Sequence, residues 1–263
     1  MYNILGVASM KNYLKFVKND KFDIRINSGS FVTFFSNDDN YLLNIFACLN
    51  KSSYLRIANK RANKIDDYYI RKNVSYVLNK DLNTFTSDTV ESEIAYSLEY
   101  IYKDKKEINE LIEEKSKLFK LDKYLNFSPN ILGSSDKAKL KILSSIIFNP
   151  KVLVLDNILS ELDYEDNLLI TKILKQYVKD DNIVLNFTHN VDESLYGQRI
   201  IINDNKKVII DGKTLSVLNE DKILKKLGIG LPFIVELNKY LLNYEIIEDY
   251  ELNMNKLMEV IWK

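Results

Sequence analysis

The chain has 263 residues, 46% hydrophobic and 28% charged, which are the proportions of an ordinary globular protein. Its 37 lysine and arginine residues balance 37 aspartate and glutamate residues, so no net positive charge favours a nucleic-acid partner. The one cysteine, Cys48, excludes an internal disulfide and a cysteine-based zinc site, and we expect it to be a small buried apolar residue.

Membrane and secretion signals are missing from the sequence. No stretch of eighteen uninterrupted apolar residues is present, and the first residues lack the layout of a signal peptide. We therefore expect a cytoplasmic protein, without a metal site of its own, whose link to any membrane runs through another subunit.

Strands and helices alternate along the first half of the chain. Short runs of alternating or continuous apolar residues predict strands, and longer runs with helical spacing predict helices. In chain order these are strands at Phe22–Asn27 and Ser30–Phe35, a helix at Tyr41–Leu49, a strand at Val74–Leu78 and a helical region from Thr89 to Leu125. Most charges of that helical region form a solvated face.

The second half continues the alternation and then becomes helical. Its predicted elements are a helix at Asp136–Phe148, a strand at Val152–Asp156, a helix at Asp166–Lys179, a strand at Asn182–Phe187, a short helix at Val191–Leu195, and a strand pair at Arg199–Asn203 and Lys207–Ile210. Continuous apolar strands are typical of burial on both faces, so we predict an α/β fold with a mostly parallel sheet. From about Leu215 the pattern is helical to the end, and Pro232 occupies a favoured first-turn position.

One stretch, from Leu132 to Asp163, has a recognisable layout: LGSSDKAKLKILSSIIFNPKVLVLDNILSELD. It resembles the core of ATP-binding cassette (ABC) transporter ATPases, in which L-S-G-G-Q precedes a helix, Asn-Pro, an apolar run ending in Asp-Glu, and S-x-L-D. The tail from Asp211 to Leu241, DGKTLSVLNEDKILKKLGIGLPFIVELNKYL, resembles more narrowly the ATPases of energy-coupling-factor (ECF) transporters, which take up vitamins and metal ions. The closing Tyr250–Trp262 resembles the last short helix of that family.

The resemblance implies a domain organisation. Residues 1–214 are expected to form an ABC-type nucleotide-binding domain, with a mostly parallel sheet, an antiparallel β part and a helical subdomain at about 85–135. Residues 215–263 are expected to form a small helical region that holds a dimer together. Its apolar residues are Leu231, Pro232, Phe233, Val235 and Leu237. Burial of these residues in the chain's own core is the alternative.

The phosphate loop departs most from the family pattern. That loop, G-x-x-x-x-G-K-[S/T], cradles phosphate with backbone N–H groups, a lysine and a hydroxyl that binds Mg²⁺. The corresponding positions are Ser36, Asn37, Asp38, Asp39, Asn40 and Tyr41. They include no glycine and no lysine, and the two adjacent carboxylates would repel phosphate. Two interpretations remain open: a tight polar turn in which Asp or Asn caps the next helix, or an unconventional phosphate site.

Four other positions that touch nucleotide in the family are also identified by resemblance. Asn79 stands where the family has the Gln that reaches Mg²⁺, and the segment after it corresponds to a groove that receives a helix of the membrane subunit. Asp156 matches the Mg²⁺-binding aspartate, but Asn157 replaces the glutamate that polarises water and cannot accept a proton. We expect no hydrolysis at this chain's own site, and expect Asp156 to cap loop N–H groups. His189 matches the switch histidine.

The signature acts between subunits in the family, where it caps the nucleotide held by a partner. Its attraction for phosphate comes from free N–H groups at the start of a helix. Here it consists of Gly133, Ser134, Ser135 and Asp136, and we expect either weakened capping of a partner's ATP or a purely structural helix start. Asp136 adds an anion that Lys137 and Lys139 would partly offset. Ser160 and Asp163 keep the spacing of the D-loop, whose family role is dimer contact.

These observations predict a degenerate ATPase subunit of an ECF-type ABC importer, peripheral to the cytoplasmic face of the cell membrane. It would pair with a second, competent ABC ATPase, as a hetero- or homodimer, and dock on a membrane coupling subunit. ATP and Mg²⁺ would reach it only through that partner. The alternatives are a weak but genuine ATPase with an altered phosphate loop, and a scaffold or regulatory protein outside transport.

Overall fold

The computed structural model describes residues 12–19, 22–36, 40–99, 101, 104–204 and 207–262. Within them the strands are β1 (Leu14–Asn19), β2 (Phe22–Ile26), β3 (Ser30–Ser36), β4 (Leu55–Ile57), β5 (Lys60–Arg61), β6 (Val74–Leu78), β7 (Val152–Asp156), β8 (Ile183–Phe187), β9 (Arg199–Asp204) and β10 (Lys207–Lys213). The helices are α1 (Tyr41–Phe46), α2 (Asp67–Asn73), α3 (Val90–Glu99), α4 (Lys105–Leu118), α5 (Ser134–Ile146), α6 (Tyr164–Lys179), α7 (Thr214–Leu218), α8 (Asp221–Lys226), α9 (Phe233–Asn243) and α10 (Met254–Ile261).

A six-stranded, mostly parallel sheet forms the centre of the molecule, in the order β10-β9-β3-β8-β7-β6. Its strands from β9 to β6 run parallel, and β10 pairs antiparallel with β9 at one edge. Strands β7 and β8 are almost entirely buried, as their continuous apolar sequences require when helices cover both faces of a sheet. The predicted α/β fold class is confirmed.

A second, antiparallel sheet has the order β2-β1-β4-β5. Its inner face is apolar and joins the core beneath α1, whereas its outer face is polar, which is the usual alternation of an antiparallel sheet. Three fully buried phenylalanines, Phe16, Phe22 and Phe46, meet there with edge-to-face ring contacts.

A second core cluster lies on the opposite face of the parallel sheet and joins it to α3, α4, α5 and α6. A third covers the edge formed by β9 and β10. There Val217, Leu218, Leu224 and Val235 of the C-terminal helices pack with Phe35 and Ile200. The first helices of the tail are therefore anchored on the main sheet. No helix among the described residues is long and apolar enough to cross a bilayer.

Several predicted boundaries agree with the structure and several do not. Strands β6 and β7 begin and end at the predicted residues. The predicted helix Tyr41–Leu49 is wrong at its end, because α1 stops at Phe46 and Cys48 adopts a positive φ of 57°. The helical region Thr89–Leu125 consists of two helices, α3 and α4, followed by a short turn.

Two helices begin earlier than predicted. Helix α5 begins at Ser134 instead of Asp136, with Gly133 at the N-cap. Helix α6 begins at Tyr164 instead of Asp166, because the Asp163 carboxylate accepts a capping hydrogen bond from the Asp166 N–H. Cys48 is half-buried, and burial raises its pKa to about 12, so its thiol is unreactive at neutral pH.

Candidate functional site

The carboxyl ends of the parallel strands meet at one edge of the main sheet. Strands β3, β6, β7 and β8 end there at Ser36, Leu78, Asp156 and Phe187. Ligands of open parallel α/β sheets bind at this edge, in the loops that follow the strands. The sequence-predicted residues Asn79, Asp156, Asn157 and His189 all lie in these loops or at the strand ends, so the fold brings them together.

Asn79 connects the end of β6 to the loop after β7. Its side-chain amide donates to the Asn157 carbonyl at 3.3 Å and to Oε1 of Glu161 at 3.1 Å. Burial raises the pKa of Asp156, although a hydrogen bond from the Asn79 backbone and the nearby His189 oppose the shift. The loop that begins at Asn79 therefore lies beside Asp156 at the carboxyl end of β7, where strand register pairs Leu78 with Asp156.

Asn157 is held in a left-handed backbone conformation with φ of 51°. Its N–H donates to the Phe187 carbonyl at 2.7 Å, and its side-chain oxygen accepts from the Thr188 hydroxyl at 3.5 Å and from the His189 N–H at 3.4 Å. Asparagine tolerates this conformation better than most residues. The amide at this position thus connects the loops after β7 and β8, and the His189 side chain stays exposed.

The predicted phosphate loop is only partly described. Asn37, Asp38 and Asp39 lie outside the described residues. Ser36 ends β3 and accepts a 2.8 Å hydrogen bond from the Asn203 amide. Asn40 has φ of 51° and precedes α1, but its side chain makes no capping hydrogen bond, so Asn40 does not provide the expected cap.

The signature residues surround an ion-paired cluster at the start of α5. Lys139, 3% exposed, contacts the carboxylates of Asp136 at 2.8 Å and Asp166 at 2.9 Å. The Ser135 hydroxyl donates to Asp166 at 2.7 Å and accepts from the Asp163 N–H at 3.2 Å. Burial alone would raise the pKa of Asp166, but hydrogen bonds from Lys139 and Ser135 leave it lowered.

The Ser135 hydroxyl is therefore engaged within the chain. One expectation for the signature changes as well. Lys139 alone offsets Asp136, because Lys137 instead reaches the Asn83 side chain at 2.9 Å. A cavity of about 660 Å³ opens beside Gly133, Ser134 and the D-loop.

A buried carboxylate that the sequence analysis missed supports the D-loop. Glu193 is fully buried and accepts from the Ser160 hydroxyl at 2.6 Å and from the Asn186 amide at 2.8 Å. Its sequence context, VDESL, carries no motif that would have singled it out. The described residues contain no cluster of three or more His, Cys, Asp and Glu side chains able to hold a metal ion.

Comparison with known proteins identifies related sequences. No protein-family model matches the chain. The energy-coupling factor transporter ATP-binding protein EcfA1 of Mesomycoplasma hyopneumoniae (strain J) is 31% identical over 195 residues, which cover 74% of this chain and 70% of that protein. The protein of the same name from Ligilactobacillus salivarius is 27% identical over 193 residues, covering 73% and 68%.

Solved structures share the fold. The cbiO1 protein of Clostridium perfringens, part of the ABC transporter complex cbiONQ, superposes with a TM-score of 0.70 at 20% identity, covering 87% of this chain and 99% of that chain. An ATP-binding cassette solved as a dimer bound to ADP and Pi superposes with a TM-score of 0.66 at 22% identity, covering 78% and 98%.

The two sheets and the order of their strands define the fold of the ABC-type ATPases. Within that class, the similarity to EcfA1 is extensive enough to settle the family. The chain belongs to the ATP-binding proteins of energy-coupling factor transporters.

Proposed function

We propose that this chain is a non-hydrolysing ATPase subunit of an ECF-type importer, which pairs with a competent ATPase and docks on a membrane coupling subunit. The observation that carries this proposal is the segment between β3 and α1. Residues 36–41 contain neither the glycines nor the lysine that a phosphate cradle needs.

The donor groups at the carboxyl edge support the same proposal. Asp156 is the one carboxylate among the four predicted residues there, and Asn157 supplies an amide where a base would be needed. The Asn79 amide is already engaged by Glu161 and the Asn157 carbonyl. These groups do not fit Mg-ATP, so no step of hydrolysis is assigned to this chain.

A role between subunits is better supported than a role within the chain. The backbone N–H groups of Ser134 and Ser135 begin a 13-residue helix, and such helix starts attract phosphate. Lys139 pairs with both acids beneath them, Asp136 and Asp166, and offsets part of their negative charge. We propose that these groups face ATP held by the partner and that this chain stabilises a closed pair without cleaving nucleotide itself. Two of the structural relatives are described as dimeric.

Docking on the membrane subunit would use the loop after Asn79. Glu93 fixes this loop by accepting from the Thr86 N–H and hydroxyl and from the Ser87 N–H, at 3.0 to 3.1 Å. Exposed aromatic side chains lie on the adjoining elements: Tyr76 (41% exposed) on β6, Tyr96 (65%) on α3, and Phe127 (50%), whose carbonyl accepts from the Val90 N–H at the start of α3. A fixed loop with aromatic neighbours suits an apolar helix of a partner.

The proposal is tested by co-purification and enzymology. The chain should co-purify from its native host with a second ABC ATPase and a membrane subunit, and phosphate release should require that ATPase. Alone, the chain should release no phosphate above background. A Mg-ATP dissociation constant in the low micromolar range for the isolated chain would contradict the proposal.

The runner-up is a weak but genuine ATPase. One observation favours it, since Asp156, Asn79 and His189 still converge at the carboxyl edge. Thermal unfolding separates the two functions, because a ligand at 100 times its Kd stabilises the folded state by about 2.7 kcal/mol. Mg-ATP should leave the melting temperature unchanged under the main proposal and raise it under the alternative.

A further inference from the structure

Four cationic side chains form a row across the antiparallel sheet. Strand register places Lys15 opposite Arg25 on one side and opposite Arg56 on the other, and it places Arg56 opposite Arg61. The row therefore crosses all four strands in the order β2-β1-β4-β5. With neighbouring strands about 4.8 Å apart, the row spans roughly 14 Å.

The row lies on the outer face of this sheet because the core fills the inner face. Successive side chains of a strand point to opposite faces. The residues that alternate with the cations are fully buried: Leu14, Phe16, Ile24, Ile26, Leu55 and Ile57. The cations accordingly point outward. Arg25, Arg56 and Arg61 are exposed and Lys15 is half-buried.

Little negative charge compensates this row, although like charges directly opposite one another destabilise strand pairing. Asp23 neutralises Arg25 through hydrogen bonds of 2.9 and 2.6 Å. No acidic side chain in the described part of the chain forms an ion pair with Lys15, Arg56 or Arg61. The sheet therefore carries an uncompensated repulsion that an anionic ligand would relieve.

The sequence that contains β4 and β5 is also rich in positive charge and lacks negative charge. Residues 51–64 contain five lysine or arginine residues and no acidic residue, in a chain whose total charge is balanced. Arg56 donates to the Asn59 carbonyl at 3.1 Å, which orients its guanidinium group. Two N–H groups of one arginine guanidinium can bind two phosphate oxygens at once, so arginine suits phosphate ligands better than lysine does.

The row lines a concave surface. A cavity of about 350 Å³ is bordered by the four cations together with Val17, Ser53 and Tyr54. This volume lies at the low end of small-molecule sites. We propose that this basic sheet face binds a compact soluble anion carrying two or more phosphate groups. A concave site of this size favours such a molecule over a flat lipid surface.

Calorimetric titration of the full chain with tripolyphosphate and with inorganic phosphate tests the proposal. Tripolyphosphate should bind at least about ten-fold more tightly than phosphate, and its affinity should fall as salt rises. Arg56→Gln combined with Arg61→Gln should weaken tripolyphosphate binding by about ten-fold or more. The matched control is Lys60→Gln with Lys64→Gln, which removes the same charge from the same segment outside the row. It should change the affinity less than about three-fold.

Two results would overturn the proposal: no tripolyphosphate binding, or equal losses in the two double variants. If tripolyphosphate does not bind and the chain instead sediments with phosphatidylglycerol vesicles, the face is assigned to a membrane surface. Arg61→Gln alone, at an exposed position on the edge strand β5, repeats the test if the double variant does not fold. These variants leave the signature loop unchanged, so the result is independent of the proposed pairing with an ATPase.

Discussion

Asn157 shows how one side chain can connect two loops at the carboxyl edge of the sheet. Its backbone has a positive φ, and its amide oxygen accepts from Thr188 and His189. Glutamate at this position would lose these contacts and would be strained, since most residues with a side chain pay about 1–2 kcal/mol in the left-handed region. Replacing Asn157 with glutamate is therefore not a neutral change in this chain.

Asn157→Glu should create no ATP turnover and should destabilise the chain by about 1–3 kcal/mol. The phosphate would still lack a cradle, and the backbone would be strained. Phosphate release and thermal unfolding measure the two effects. Asn157→Gly is the matched control, because glycine adopts positive φ without strain and should cost less than glutamate. Turnover by the glutamate variant would show that the phosphate-loop argument is wrong.

The ion-paired cluster of Lys139, Asp136 and Asp166 should make stability depend on acid pH. Asp166→Asn removes the charge of one partner of the buried Lys139. It should lower the free energy of unfolding by about 1–3 kcal/mol at pH 7. The pKa of Asp166 is lower in the folded state than in the unfolded state, where it is about 4. The carboxylate therefore adds its full stabilisation to the folded state above about pH 4. This stabilisation is lost as the pH falls through the folded-state pKa. The difference in melting temperature between wild type and variant should shrink below about pH 4. A difference that stays constant with pH would contradict this assignment.

Asp136 should affect how strongly the signature attracts the phosphates of ATP held by a partner. Its carboxylate lies 2.8 Å from the Lys139 ammonium, which reduces the repulsion of phosphate. Asp136→Gln in the assembled complex should therefore strengthen ATP binding by only about two-fold, the low end of the effect of a charge at a helix start. The KM and kcat of the complex measure this gain. A ten-fold gain would mean that Lys139 does not screen Asp136.

At the scale of elements, α5 connects the signature to the loop after Asn79. Lys141 of this helix donates to the Thr84 carbonyl, lies 3.3 Å from the Glu93 carboxylate and stacks over the Phe85 ring at 4.3 Å. One lysine thus fixes the loop proposed to meet the membrane subunit. Movement of that loop would be transmitted directly to α5.

Lys141→Met should keep the packing of the aliphatic stem but release the loop. We expect faster amide exchange at residues 82–88 and a loss of about 1–3 kcal/mol, because Glu93 loses its cation and the Thr84 carbonyl loses its donor. Lys137→Met is the control on the same helix. Lys137 makes an exposed contact with Asn83, so its loss should cost less than about 1 kcal/mol. Equal exchange rates in both variants would exclude a special role for Lys141.

The elements that could be predicted from sequence share a physical basis. Strand β7 was predicted with its observed bounds because it is a continuous apolar run, and β6 was predicted near its observed position. Strands β4 and β5 were missed because three and two residues are too few to show a period. Asn79, Asp156 and His189 could be placed together from motif order, whereas the roles of Lys139 and Glu193 depend on contacts with distant residues such as Asp166 and Ser160.

At the scale of the whole molecule, the tail has two kinds of apolar residue. Val235 is fully buried and Pro232 is buried, Leu231 and Leu237 are half-buried, and Phe233 is 66% exposed. Burial in the chain's own core therefore accounts for Val235 and Pro232, and the exposed Phe233 is the member of the predicted cluster that a dimer contact could use. Exposed side chains also include Tyr244 (75%) and Trp262 (78%), and such an apolar surface is typical of an interface.

Phe233→Ser with Trp262→Ser should weaken association with a second subunit and leave the free energy of unfolding of the isolated chain within about 1 kcal/mol of wild type. Val235→Ala should instead leave association unchanged and lower the free energy of unfolding by about 1–3 kcal/mol, because it opens a cavity among Val217, Leu218 and Leu224. Light scattering without nucleotide measures the association, alone and with the co-purifying ATPase. Unchanged association in the Phe233 and Trp262 variant would place the interface elsewhere.

The strand order of the main sheet also has a consequence for biosynthesis. Strand β3 lies between β8 and β9, and its register joins Ser30 to Ile183 and Val32 to Arg199, about 150 positions later in the chain. At roughly 5–20 residues per second, a ribosome needs about 8–30 s to make that intervening stretch. Throughout this time the apolar β3, with Phe31, Phe34 and Phe35, has no partner strand. The nascent chain should therefore depend on chaperones that shield this segment until β8 and β9 emerge.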